Sequence, residues 1–442
     1  MKLYSSYWKK IRHYNRIFQA TIEAYRAAVD FFVSVCLARW DDVSAVSGSQ
    51  NRMRFVETLT VETKMRPAVP FPFADADPRF YKFPSYLRRA AINEAVGNVS
   101  SYQSRMAEWN AHPDGRQPGL PKAGRAFPCL YRDNMYRDED AYQAQVKVHV
   151  RNTWDWVTVS LRRSDVDYIQ RHCAGQKECA PVLMNKGKQW FLAFSYEQEV
   201  TLPKKPVSEQ TILAVDLGIN NACVCAAMCA DGTVLAREFL SLARENDCLQ
   251  HKVNHIKRAQ CHGSRQLKNL WAYANGVNRD IAVKTARFIV ETAVSCHADV
   301  VVFEHLDCGK KKRGSKRQRF HLWKARAVQS IVTDRTHRLG IRVSTVNAWG
   351  TFRMAYDGSG RVVRGIGGNY SICRFPTGKM YHCDLNAAYN IGARYFVREL
   401  LKSLPATEGQ RIRAKIPGCA RRSTCTLATL INLDAELPAP VA

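Results

Sequence analysis

The spacing of hydrophobic positions changes period along this chain, and each change marks an element. From Asn15 to Trp40 the residues Phe18, Ile22, Tyr25, Val29, Phe32 and Cys36 recur at helical spacing. A second helical run starts at Ser85, a residue type that suits a helix cap. It reaches Trp109 through Ile92, Val96, Val99, Tyr102 and Met106. Its opposite face carries Arg88, Arg89 and Arg105. Between the two helices, Pro67 to Pro84 is too broken by proline to be helical and predicts a loop or linker. After a second break ending near Pro128 the period falls to two. Val146, Val148 and Val150 alternate with polar residues, as do Val157, Val159 and Leu161, then Trp190, Leu192, Phe194 and Tyr196. These predict strands of a small barrel. Residues 1–14 read as an edge strand or arm.

Pro203 to Pro206 predicts a linker into a second block. There Ile212-Leu213-Ala214-Val215 ends on Asp216, Gly218 and Asn220-Asn221 turn the chain, and a second run spans Ala222 to Met228. A third follows the hairpin signal Ala230-Asp231-Gly232. This is a three-stranded meander with a lone acid on its central strand. Leu242 to Ala274 is helical and basic, and Val277 to Cys296 predicts a packing helix. Asp299 to Glu304 (DVVVFE) is another strand closing on an acid. A basic run, Gly309 to Arg319, precedes a helix from Phe320 to Leu339 and a last core strand, Ile341 to Val346. An amphipathic helix then opens at Asp384 with Ala387, Ala388, Ile391 and Tyr395 on one face. The tail beyond residue 403 ends in proline and alanine and reads as frayed.

A buried carboxylate is costly without a cation, a basic partner or solvent beside it. One such Asp could simply cap a strand end. Asp216, Glu304 and Asp384 each end or begin a core element, however, and strand ends are where sites gather. Hard carboxylates bind Mg²⁺ or Mn²⁺, and two ions roughly 4 Å apart suit phosphodiester cleavage. The formal net charge of +27 over 442 residues points to a polyanionic partner. A membrane surface competes less well, since no apolar run is long enough to span and the N-terminus MKLYSSYWKKIRHY is polar and basic. Fifteen cysteines without a secretion signal predict reduced thiols and a cytoplasmic, nucleoid-associated protein. The basic run holding Lys310, Lys311, Lys312, Arg313, Lys316, Arg317 and Arg319 is either a solvated loop or, following a strand that ends in an acid, a phosphate contact.

The segments around Asp216, Glu304 and Asp384, above all D-x-N-A-A-x-N-I from Asp384 to Ile391, resemble the RuvC motifs of TnpB proteins and compact type V CRISPR effectors. The resemblance is strongest from Thr211 to Phe396. It implies an α/β multidomain fold in which an RNase H-like (RuvC) nuclease domain follows a β-barrel wedge domain with an inserted helical recognition lobe. The divisions it implies are 1–14, wedge strand or arm; 15–127, recognition lobe; 128–205, wedge; 206–349, nuclease motifs I and II. They continue with 350–382, a degenerate zinc-ribbon-like nucleic-acid-binding insertion, 383–403, the motif III helix, and 404–442, the tail. It implies RNA-guided, Mg²⁺-dependent cleavage of target DNA beside a short flanking motif, with guide RNA and double-stranded and single-stranded DNA as partners and Asp216, Glu304 and Asp384 as catalytic metal ligands. The guide could be a transposon-end RNA or a CRISPR RNA. A guided protein that binds without cutting and an unguided resolvase or transposase are the alternatives.

One departure from the family stands out. Relatives carry two C-x-x-C pairs before the third motif, whereas this chain has Cys373, Cys383 and the neighbouring His382, with Pro376 where a second Cys would fall. A structural zinc needs four ligands, so no zinc is expected and the two thiols read as remnants. Cys223, Cys225 and Cys229 read as core residues, and Asn386 and Asn390 as hydrogen-bonding the backbone around Asp384. No phosphate loop of P-loop spacing is present, since GLPKAG does not fit.

Overall fold

Apolar alternation and helical spacing settle into two separate bodies. The computed structural model describes all residues except 13–15, 114–115, 219–220, 307–323, 367, 421–423 and 438–442. It divides into Lys2–Glu199 and Val200–Ala442, the latter with Met1. Asn220 and the basic residues Lys310, Lys311, Lys312, Arg313, Lys316, Arg317 and Arg319 lie outside the described residues.

In the first body, β1 (Lys2–Lys10) leads to helices α1 (Ile17–Ala38), α2 (Trp40–Ala45), α3 (Ser49–Thr60), α4 (Phe73–Ala76) and α5 (Ser85–Ala111). Strands β2 (Tyr136–Asp138), β3 (Gln143–Val150) and β4 (Thr153–Ser160), helix α6 (Arg163–His172), and strands β5 (Lys177–Glu178), β6 (Val182–Lys186) and β7 (Gln189–Glu199) follow. The alternating runs do not close into a barrel. They form a four-stranded sheet, with β1, β5 and β6 all paired to β7, and a separate three-stranded sheet β2-β3-β4. A single bridge at Ile11–Leu161, just past β1 and β4, joins them, and another ties Cys129, ahead of β2, to Val182 of β6. Alternation specifies a strand's buried face but not its partner, so closure was not readable. Helices α1 and α5 share one core with both sheets.

Three local readings change. Ser85 makes no capping bond; Pro84 precedes the helix and Ser85 is its first residue. The proline-rich segment is not a free linker, because Phe73, Phe80 and Phe83 are buried and the Phe73 and Phe80 rings stack at 4.2 Å. Proline prevents a long helix there, yet the rings still enter the core. The sequence pattern did not mark helix α3, whose Glu57 pairs with two of the arginines on the α5 face. Arg88 reaches it at 3.2 Å and Arg89 at 3.1 Å, while Arg105 stays exposed.

The second body is built on a five-stranded sheet of order β10-β9-β8-β11-β12. Its strands are β8 (Ile212–Asp216), β9 (Cys223–Met228), β10 (Val234–Leu240), β11 (Val300–His305) and β12 (Arg342–Asn347), with helices α7 (Ala243–Cys261), α8 (Lys268–Ser295) and α9 (Ala325–Arg338) between them. The meander β8-β9-β10 is antiparallel, with Asp216 on its outer strand. That strand becomes central only because β11 pairs parallel along its other edge. A small antiparallel sheet follows, β13 (Val363–Ile366), β14 (Asn369–Arg374) and β15 (Met380–His382), then helix α10 (Cys383–Ser403).

Both faces are covered at the middle of the large sheet, which explains the apolar runs of β8, β9 and β11. Leu213, Val215, Val301 and Phe303 face the α8 and α9 side, and Ile212, Ala214, Val300 and Val302 face α10. Helix α10 lies so close that a Cβ on Gly392 would stand 2.5 Å from Met228 Sδ and 3.3 Å from Ala214 Cβ. The tail, read as frayed, packs instead. It forms α11 (Ala406–Lys415), α12 (Pro417–Ala420) and α13 (Leu427–Asp434), and Leu427, Leu430 and Leu433 join the core with α10. Residues Leu385 to Val397 are therefore buried all round, not along one stripe. Among the described residues no helix is long and apolar enough to cross a membrane.

Candidate active site

Side chains two apart on a strand share a face, so Asp216 continues the row of Ile212 and Ala214, and Glu304 that of Val300 and Val302. Both acids thus emerge on the α10 face. The parallel register pairs Phe303 with Val215, which sets Glu304 beside Asp216 on strands about 4.8 Å apart. Asp384 occupies the first turn of α10, which packs across β8 and β11. All three residues are half-buried.

The charges converge on Asp216. Burial is the main force raising Asp216 well above the ordinary carboxylate range, and the charges of Glu304 and Asp384 raise it further against an opposing Arg364. Glu304 is raised by burial, while a hydrogen bond from Thr351 and the charge of Arg394 hold it down. Asn221 Nδ2 donates to Asp384 Oδ2 at 3.1 Å. As donors these are the hard anionic oxygens that Mg²⁺ and Mn²⁺ take, and a divalent cation would answer the repulsion at Asp216. Among the described residues no three His, Cys, Asp or Glu side chains converge on a single ion position. The fit is one of charge and donor type, with the carboxylates spread around the sheet end.

The small sheet brings further groups. Cys373 and Cys383 are buried side by side with Ala355 and Phe375. Burial, then the neighbouring Cys383, pushes the Cys373 thiol up to about 12. His382 is turned away to cap α10, its Nδ1 accepting from Leu385 N at 3.4 Å. Arg364 lies 5.3 Å over the Phe352 ring, and Arg353 lies 5.7 Å over both Phe352 and Trp349. Trp349 is 64% exposed and Tyr370 69%. Exposed rings interleaved with guanidinium groups are the surface that stacks unpaired bases.

The fold resembles those of type V CRISPR effectors. It matches a chain of the solved Cas12f1–sgRNA–target DNA complex with a TM-score of 0.53 at 13% identity, covering 85% of this chain and 81% of that one. The mini-RNA-guided endonuclease CRISPR-Cas_phi3 matches with a TM-score of 0.51 at 11% identity, covering 88% and 92%. By sequence, the Aq_aa04 family profile matches residues 5–150. The uncharacterized protein aq_aa04 of Aquifex aeolicus (strain VF5) is 28% identical over 126 residues, 26% of this chain and 68% of its own length.

Several site residues escaped the sequence reading. Asn386 and Asn390 do bond backbone, but of the loop after β12 and not around Asp384. Asn386 Nδ2 donates to Met354 O at 2.9 Å and its Oδ1 accepts from Tyr356 N at 2.8 Å. Asn390 Nδ2 donates to Thr351 O and Met354 O at 2.9 and 2.8 Å. Arg394 Nη1 donates to Asn347 O and Trp349 O at 2.7 and 3.0 Å. The available signal was their spacing, since polar residues four apart in an otherwise apolar helix form one stripe. Thr351 and Arg364 carried no such signal.

Proposed function

We propose that this chain is an RNA-guided, Mg²⁺- or Mn²⁺-dependent DNA endonuclease with a single RuvC-type site. What carries the reading is that three distant segments bring Asp216, Glu304 and Asp384 to one end of a sheet, where the charges of Glu304 and Asp384 add to burial in raising Asp216. In this reading Asp216, Glu304 and Asp384 hold two divalent ions. The chemistry such ions supply when bound is activation of water and stabilisation of the leaving 3′ oxygen. Asn221 orients Asp384, and Arg364 adds positive charge where a phosphate would sit. Trp349, Phe352 and Tyr370 would stack bases of the strand being cut. The wedge and recognition assignments for residues 1–205, with Arg88, Arg89 and Arg105 as phosphate contacts, belong to the same proposal. So do phosphate contacts from the basic run 309–319 and the lack of a structural zinc.

Guide pairing would supply sequence specificity, leaving the protein to grip duplex backbone and a short flanking motif. The test is a cleavage assay with Mg²⁺, target DNA and co-purifying RNA, before and after the RNA is stripped. Asp216→Ala, Glu304→Ala and Asp384→Ala should each reduce cutting by at least about 10³-fold while leaving RNA and DNA binding within about threefold, because affinity rests on dispersed Lys and Arg. Sequence-specific cutting by the stripped protein would favour the resolvase reading. RNA-dependent binding without any cutting would favour a guided binder.

A further inference from the structure

We infer that Thr351 is a positioning residue for Glu304, set in place by a polar stripe on α10. The inference rests on the nuclease reading above and concerns how that site is held together. Thr351 is fully buried, and its hydroxyl donates to Glu304 Oε1. Ala348 O also lies 3.2 Å from that hydroxyl. A hydroxyl has one proton to give, and the charged oxygen is the stronger acceptor. The bond therefore fixes one carboxylate oxygen and leaves Oε2 as the one free to face a ligand.

Thr351 sits between β12 and the small sheet in no regular element, although local bonds such as Arg353 N to Gly350 O at 3.1 Å and the Met354–Arg361 bridge shape the loop around it. What ties this loop to the sheet end is α10. Asn386, Asn390 and Arg394 are spaced four apart and so lie on one helix face; all three are buried. Between them they bind the carbonyls of Asn347, Trp349, Thr351 and Met354 and the amide of Tyr356. Asn390 is the closest link, because it holds the carbonyl of the residue whose hydroxyl reaches Glu304. The helix that carries Asp384 in its first turn thus also sets the orientation of Glu304 on β11. Two acids from different elements share one support, so a shift of α10 moves both.

Partners that orient a metal-binding carboxylate typically change affinity by 10–100-fold when removed. The experiment compares full-length wild type, Thr351→Val, Thr351→Ser and Glu304→Ala. It measures Mn²⁺ binding by electron paramagnetic resonance and the Mg²⁺ dependence of guided cleavage. Thr351→Val keeps the volume and removes the donor; Thr351→Ser keeps the donor. Expected is about tenfold weaker Mn²⁺ binding for Thr351→Val, an equal rise in half-saturating Mg²⁺, and recovery to within about twofold in Thr351→Ser. Wild-type Mn²⁺ binding by Thr351→Val, beside an impaired Glu304→Ala, overturns the positioning role alone. Equal impairment of the Val and Ser variants also overturns it, by assigning the effect to packing. A Glu304→Ala protein that binds Mn²⁺ and cuts as wild type overturns the nuclease reading, and the positioning role with it.

Discussion

Asp216 ends β8 with burial, Glu304 and Asp384 all opposing its ionisation. The sign of the linkage follows. A carboxyl whose folded pKa is raised favours folding below its unfolded pKa, and that contribution is lost as pH rises through the folded value. Without metal the wild-type charge therefore weakens the fold most at neutral pH and above. Asp216→Asn removes that charge and should raise the melting temperature in EDTA at pH 7.5 by about 2–4 °C, the shift roughly 1 kcal/mol produces in a domain of this size. The rise should vanish near pH 3, about one unit below the unfolded Asp pKa of about 3.9, where the unfolded Asp is itself largely protonated. A scan showing the same difference at both pH values would mean that charge is not its cause.

At the scale of elements, α10 joins the sheet, the small sheet and the tail. Its sequence pattern reads as amphipathic, yet Leu385 to Val397 are all buried because the tail helices cover the side away from the sheet. Gly392 marks the closest approach, where a side chain would meet Met228 and Ala214. Gly392→Val should cost about 2–4 kcal/mol in chemical denaturation through overpacking, partly offset by the higher helix propensity of valine. Shortening the blocking side chain with Met228→Ala in the same chain should recover part of that loss. An unaltered denaturation midpoint for Gly392→Val would show that the helix can lift without penalty. The same element explains Asn386 and Asn390. Buried amides favour pairing, and the Asn386 side chain and the Asn390 Nδ2 found partners on a loop some 30 to 40 residues earlier in the chain.

For the whole molecule the dominant property is charge. The excess of 66 Lys and Arg over 39 Asp and Glu is dispersed, but not every cation is available. Arg88 and Arg89 are engaged by Glu57, Lys284 by Glu245 and Asp280, and Lys2 by Glu197. Surface ion pairs are weak, so phosphates can compete for these groups. If guide RNA lies along an extended track, its affinity should fall steeply with salt. Six to ten phosphate contacts predict a loss of about 10³–10⁵ between 50 and 200 mM salt. Titrations giving a slope of only one or two ions released would point to a small patch and against a long track.

The residues alone determined that two distinct blocks exist, that Asp216 and Glu304 close apolar strands, and that Asp384 opens a helix. Those features are local, written in periods of two and 3.6 and in where the periods stop. Which strands pair, and in what register, only the tertiary structure decided. One-residue slippage would have put Asp216 and Glu304 on opposite faces, and nothing in either strand specifies its neighbour. The same holds for the barrel that did not close, for Glu57 taking Arg88 and Arg89, and for the tail that packs on α10. Thr351 is the sharpest case. It is one threonine among many along the chain, and only the joint placement of β11, α10 and the loop between them brings its hydroxyl to Glu304. Hydrogen-bond partners are set by distance in space, which sequence separation does not encode.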